Sequence, residues 1–151
     1  MRPTDSRSTA LELLENMFDV EMRFLRSEGG DVDVLARAFH PDVVVHEPPS
    51  LPYAGDWTGL EGVGALFCKM AEVWNDVQVD GLRAVADGDA VYMACTLALT
   101  SRATGAAVRQ PFAEVLRFED GRLIDGTPFY FDTAEILATL EAGSRRRSAS
   151  M

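Results

Sequence analysis

The chain predicts an α+β domain in which helices come first and a strongly curved, mainly antiparallel sheet wraps around them. Two patterns carry this expectation. Apolar residues recur every three or four positions in the first half, and after Asn75 they alternate by two to the end of the last strand. Asp87-Gly88, Thr104-Gly105 and Asp120-Gly121 divide the alternating part at hairpin positions. A third observation concerns function. Glu47 and Glu114 stand where a strand should carry hydrophobic side chains.

Taken in order, Thr9 and Glu12 have capping-box spacing, and Leu13, Leu14, Met17, Phe18, Glu21 and Leu25 continue as a helical stripe that Gly29-Gly30 ends. Asp31 can cap a short second helix through Val34, Leu35, Ala38 and Phe39, stopped at His40-Pro41. Val43 to Glu47 is a strand, and Pro48 to Gly59 is a loop carrying Tyr53 and Trp57. Thr58 and Glu61 offer another capping box before the stripe Leu60, Val63, Phe67, Met70 and Trp74. Gly59, Gly62 and Gly64 read as a helix start and close packing, since no strand leads into them as in a phosphate loop. Strands are expected over 77–86, 90–101, 107–119 and 122–131, then a short helix through Ile136, Leu137 and Leu140, capped by Asp132. A curved sheet of this kind leaves a cone enclosing an apolar cavity that admits a small molecule. Residues 1–8 and 142–151 read as flexible tails around a single domain over 9–141.

Composition narrows the function. At 151 residues the chain suffices for one domain that buries roughly two-thirds of its unfolded surface. A formal net charge of −10 argues against nucleic acid or an anionic membrane as partner. No apolar run approaches the ~20 residues of a membrane span, and the N-terminus lacks a signal-peptide core, so a cytoplasmic protein is expected. Cys68 and Cys95 make no disulfide framework. With only His40 and His46, and neither near a cysteine or in a ligand spacing, no metal is expected.

Glu114 shares strand parity with Val108, Phe112, Leu116 and Phe118, so its carboxyl points where they point. An acid facing an apolar interior is costly unless paired or neutralised, which marks a place for chemistry; a solvated edge glutamate or a local ion pair is the plainer alternative. His46 has the opposite parity from Glu47 and reads as a surface or inter-subunit histidine.

Phe39-His40-Pro41-Asp42 followed by Val45-His46-Glu47-Pro48 resembles the stretch where ketosteroid isomerases carry their general-base carboxylate. Glu114-Val115-Leu116-Arg117-Phe118 resembles the strand where they hold a carboxylic acid neutral in an apolar site. In the first helix the chain has Met22-Arg23-Phe24 where those enzymes place a tyrosine. With the order of elements from Thr9 to Leu140, the resemblance is to the nuclear transport factor 2-like superfamily, in its ketosteroid isomerase and SnoaL-like polyketide cyclase branch. It implies a cofactor-free cyclase or isomerase acting in polyketide or terpenoid ring formation on an apolar, oxygenated small molecule. Glu47 would be the base and Glu114 the acid or hydrogen-bond donor. Substrate-binding residues would be Tyr53, Trp57, Phe67, Met70, Met93, Cys95, Leu97, Phe112 and Tyr130. Epoxide opening by the same pair, and a ligand-binding module without turnover, are the rival readings. Ala94, Ala98, Ala113 and Val115 alternate onto the outer sheet face, for which an isologous homodimer is the expected cover.

Overall fold

A computed structural model describes residues 3–27 and 30–149, with side chains for 8–27 and 30–141. Its elements are α1 (Pro3–Arg26), α2 (Val32–Leu35), β1 (Phe39–Glu47), β2 (Gly55–Thr58), α3 (Gly59–Val73), β3 (Trp74–Asp87), β4 (Ala90–Ser101), β5 (Ala107–Glu119), β6 (Arg122–Tyr130) and α4 (Thr133–Ala149). The six strands form one sheet in the order β2-β1-β6-β5-β4-β3.

The meander from β3 to β6 is antiparallel throughout, as hairpin-linked neighbours must be. β1 instead lies parallel to β6, which makes the sheet mixed. That pairing is available because α3 and three hairpins separate the two strands, enough chain to bring them side by side in one direction.

The expected strong curl is corrected. The sheet is not strongly curled, and its edges β2 and β3 are not paired with each other. Among the described residues the register shifts near Phe39/Val44, Trp74/Asp76, Asp80/Arg83 and Arg117/Phe118, and the rest of the ladder lacks the inserted residues that bend a strand.

Other boundaries move for local reasons. β1 starts at Phe39, where a helix end is expected, because Phe39 pairs with Leu123 and the Leu123 N–H donates to the Ala38 carbonyl. Proline at 41 also disfavours helical backbone at His40. Gly55–Thr58 is a strand inside the expected loop, laid along β1 with His46 opposite Asp56. α1 begins at Pro3, a residue suited to a first helical position, so Thr9 lies inside the helix rather than capping it. α4 likewise runs through the stretch expected to be a tail, as far as Ala149. Gly29, half of the expected helix stop, lies outside the described residues, and Gly30 has φ +70°.

Thr58 precedes α3 but makes no side-chain cap bond. Asp31 caps α2 by accepting from Asp33 N–H, and Asp132 caps α4 by accepting from Ala134 and Glu135 N–H. Glu135 accepts instead from Gln110 Nε2, and Gln110 also exchanges bonds with the Asp132 backbone. A buried glutamine on β5 thus fastens the start of α4.

α1, α2 and α3 cover one face of the sheet. Their contact centres on Phe24, Leu35, Phe39 and Phe67, with Phe67 edge-on to Phe24 and Phe39 at 6.3 and 5.5 Å between ring centres. Gly64 permits the close approach: a Cβ there would stand 2.9 Å from Phe24 Cζ and 3.3 Å from Leu35 Cδ1. The opposite face of the sheet is uncovered and exposes Val85, Tyr92, Val115 and Phe129. A shallow hollow of about 610 Å³ opens there, lined by Arg83, Ala94, Thr96, Ala113 and Phe129 and also by Cys95, Phe112 and Tyr130; none of the glutamates described next lines it.

Candidate functional site

Three elements each turn one carboxyl toward the helix-covered side of the sheet. Glu47 ends β1 on the parity of buried Val43 and Val45 and is itself only 9% exposed. Glu114 stands in β5 between Phe112 and Leu116, opposite Met93 of β4 and Pro128 of β6. Glu21 lies on α1, four residues after Met17 and beside Val20, both buried.

The three acids feel one another. Burial is the main cause that pushes Glu21 up to about 7, and Glu47 and Glu114 each to about 8. The Glu21 charge adds to the rise at Glu47, and Glu47 and Glu21 both add to it at Glu114. Glu114 and Glu21 remain half-buried, whereas Glu47 Oε1 is fully enclosed and has no hydrogen-bond partner among the described residues. Glutamic acids with such values exchange protons near neutral pH, and the cluster rather than any one residue owns the titration.

Beside them lies a chain of donors. Trp74 Nε1–H donates to Tyr53 Oη at 3.0 Å, and Tyr53 and Tyr130 share a hydroxyl–hydroxyl bond of 3.0 Å. Burial raises both phenols, and the charges of Glu47 on each and of Glu114 on Tyr130 add to this, so both stay protonated and able to donate. Tyr53, expected on a surface loop or lid, is 1% exposed and Leu51 is also buried: the loop after Glu47 folds inward around them. Trp57 is half-buried and holds that loop by donating its indole N–H to the Tyr53 carbonyl at 3.0 Å.

Of the other expected lining residues, Phe112 packs edge-on against Tyr130, 5.1 Å between centres. Cys95 lies near Glu114, and burial first, then that charge, pushes its thiol up to about 11. Met93 and Leu97 are buried along the same face of β4. Phe67 belongs to the helix–sheet core, and Met70 packs half-buried against it. His46 is turned to the outer face, between Asp56 (2.7 Å from Nδ1) and Asp125 (3.1 Å from Nε2), whose hydrogen bonds raise its pKa.

Sequence reading passed over two members of this neighbourhood. Glu21 was visible as the one acid on the apolar stripe of α1, and Trp74 as an indole whose N–H needs a buried partner.

Residues 20–125 match the SnoaL-like domain. The chain belongs to the SnoaL-like family. No curated protein matches its sequence. Among solved structures, 267 chains match, so the fold is too widely shared to name a reaction. TerC, co-crystallised with polyporic acid, is similar to this SnoaL-like domain at 19% identity with a TM-score of 0.70, over 88% of this chain and 98% of its own. A candidate SnoaL-like polyketide cyclase from Jannaschia sp. CCS1 is similar at 17% identity and TM-score 0.70, over 94% and 98% of the two chains. A protein with a ketosteroid isomerase-like fold from Catenulispora acidiphila DSM 44928, in complex with trimethylamine, is similar at 16% identity and TM-score 0.63, over 79% and 85% of the two chains. At these identities each likeness is one of fold. Among the described residues no helix is long and apolar enough to cross a membrane.

Proposed function

We propose that this SnoaL-like domain binds an apolar, oxygenated small molecule beside Glu47 and Glu114 and promotes its cyclisation or isomerisation by proton transfer, with no metal or organic cofactor. The observation that carries the reading is the coupling of Glu47 and Glu114 in one buried neighbourhood, each raised to about 8. An apolar ligand gains nothing from two buried acids, whereas a base and an acid that exchange protons near neutrality are what such a reaction needs.

In this scheme ionised Glu47 takes a proton from the carbon beside a carbonyl, and protonated Glu114 gives one to the carbonyl oxygen. The enol so formed either regains the proton at another carbon or attacks a second carbonyl within the molecule, and the two carboxyls then return to their starting states. In the Trp74–Tyr53–Tyr130 chain the two hydroxyls share one bond, which leaves one phenol O–H free to donate to a substrate oxygen. Support for a small-molecule site comes from the relatives that hold polyporic acid and trimethylamine.

The test is exchange of α-protons for deuterium in a panel of aromatic and polycyclic ketones, followed by NMR, with turnover measured on any ketone that responds. Glu47→Gln should lower kcat/KM by roughly 100-fold or more. Glu114→Gln, which keeps a donor, should cost less if Glu114 only donates a hydrogen bond, and as much if it delivers a proton. The pH profile of kcat/KM should be bell-shaped with its optimum near the cluster's values of about 7 to about 8. A double Glu47→Gln, Glu114→Gln protein that works at the parental rate refutes the scheme. Binding without turnover by the unaltered protein favours a ligand-binding module instead.

A further inference from the structure

His46 joins three strands on the outer face of the sheet. Its ring belongs to β1, with Nδ1 2.7 Å from Asp56 of β2 and Nε2 3.1 Å from Asp125 of β6. Both partners are carboxylates, which only accept hydrogen bonds, so the pair of bonds needs an N–H on each ring nitrogen. Only the imidazolium has both. A neutral ring keeps one N–H and turns a lone pair toward the other carboxylate, which repels it.

The neighbouring charges do not replace that proton. Among the described residues neither aspartate pairs with an arginine or a lysine, although Arg117 of β5 stands opposite Asp125 in the ladder. Glu47, the next residue of β1, is turned to the helix-covered side, and His40, Asp42 and Glu119 form a separate group around the start of β1. Asp125 lies on an inner strand with its side chain 39% exposed, whereas Asp56 lies on the edge strand at 65%. Asp56 is therefore the partner that turns to water when the ring loses its proton. β2 has little else to hold it: none of its four residues is buried, and its only neighbour in the sheet is β1.

We propose that His46 is a proton-operated clasp: charged, it fastens the edge strand β2 across β1 to β6, and neutral, it lets β2 open. The hydrogen bonds to Asp56 and Asp125 raise the pKa of the ring, so the clasp is closed below that raised value and opens as pH climbs through it. Opening reaches the candidate site through Trp57, the β2 residue whose indole N–H holds the Tyr53 carbonyl at 3.0 Å. The inference stands on these bonds and not on the chemistry proposed for Glu47 and Glu114.

The test is amide hydrogen exchange of peptides spanning residues 53–58 from pH 5.5 to 8.5, corrected for the intrinsic rate at each pH, in the parent, Asp56→Asn and His46→Gln. In Asp56→Asn the new amide donates to Nδ1 of a neutral ring while Nε2–H donates to Asp125, so the clasp stays shut without the proton. Glu21, Glu47 and Glu114 titrate in all three proteins, and their effect on global stability cancels in the comparison. Over this range β2 protection should fall about fivefold more in the parent than in either variant. Circular dichroism and thermal transitions confirm that the variants fold. In NMR, the ring signal that His46→Gln removes should titrate above the ordinary 6.5 in the parent and lower in Asp56→Asn. An equal fall in the parent and Asp56→Asn, an excess fall that persists in His46→Gln, or a His46 midpoint at or below 6.5 overturns the proposal.

Discussion

Glu47→Gln should stabilise the folded chain, and its effect follows from proton bookkeeping. Glu47 moves from its ordinary 4.5 to about 8 on folding, so at pH 7 the unfolded chain carries it ionised and the folded chain carries it largely protonated. Taking up that proton at pH 7 costs 1.36 kcal/mol per unit over the interval from 4.5 to 7, about 3 kcal/mol. Part of this is shared with Glu21, whose charge also raises Glu47, so the relief from Gln should be about 1–3 kcal/mol. Gln and protonated Glu bury similar polar surface, which leaves the proton as the main difference. For a chain of this size the gain corresponds to a rise in Tm of roughly 3–10 °C.

The sign with pH is equally defined. A carboxyl raised on folding binds more protons in the folded state, so stability is greatest below pH 4.5 as far as these groups are concerned and declines as pH climbs through about 8. His46, raised by Asp56 and Asp125, contributes stability present at low pH and lost as pH rises through its folded value, in the same direction. Thermal unfolding of the parent and of Glu47→Gln from pH 5.5 to 8.5 measures both. The parent should lose Tm steadily, and the variant should lose less and lie above it at the alkaline end. A parent whose Tm is flat or rises over that range, or a variant that melts lower at pH 8.5, defeats the account.

Gly64→Ala should destabilise the chain by about 1–3 kcal/mol, because the new methyl would meet Phe24 Cζ at 2.9 Å and Leu35 Cδ1 at 3.3 Å; chemical denaturation reads this, and a neutral result would mean the three helices can part. The bare sheet face that exposes Tyr92, Val115 and Phe129 should be covered by a second copy of the chain, so sedimentation at micromolar concentration should show a dimer that Val115→Glu converts to monomer; a monomeric parent protein would count against it.

The change from helical to alternating periodicity at Asn75 determined where helices end and the meander begins, because residue spacing maps directly onto the face a side chain takes. The same parity rule put Glu114 with Phe112 and Leu116, and Glu47 with Val43 and Val45, on one face. Hairpin dipeptides located the turns at Asp87, Thr104 and Asp120 within a residue or two. Local pattern could not show the short β2, since four residues of Gly55-Asp56-Trp57-Thr58 form a strand only because β1 offers an edge to pair with. Nor could it show that β1 would lie parallel to β6, or that the sheet would stay open, because these depend on chain segments far apart in sequence. Glu21 makes the same point at the site. In sequence it is one glutamate on a helix of mixed composition, and a single acid on a stripe reads as solvated. Only when α1 is laid across the sheet does it stand with Glu47 and Glu114, where burial and mutual repulsion turn three ordinary carboxyls into one cluster that titrates near neutral pH.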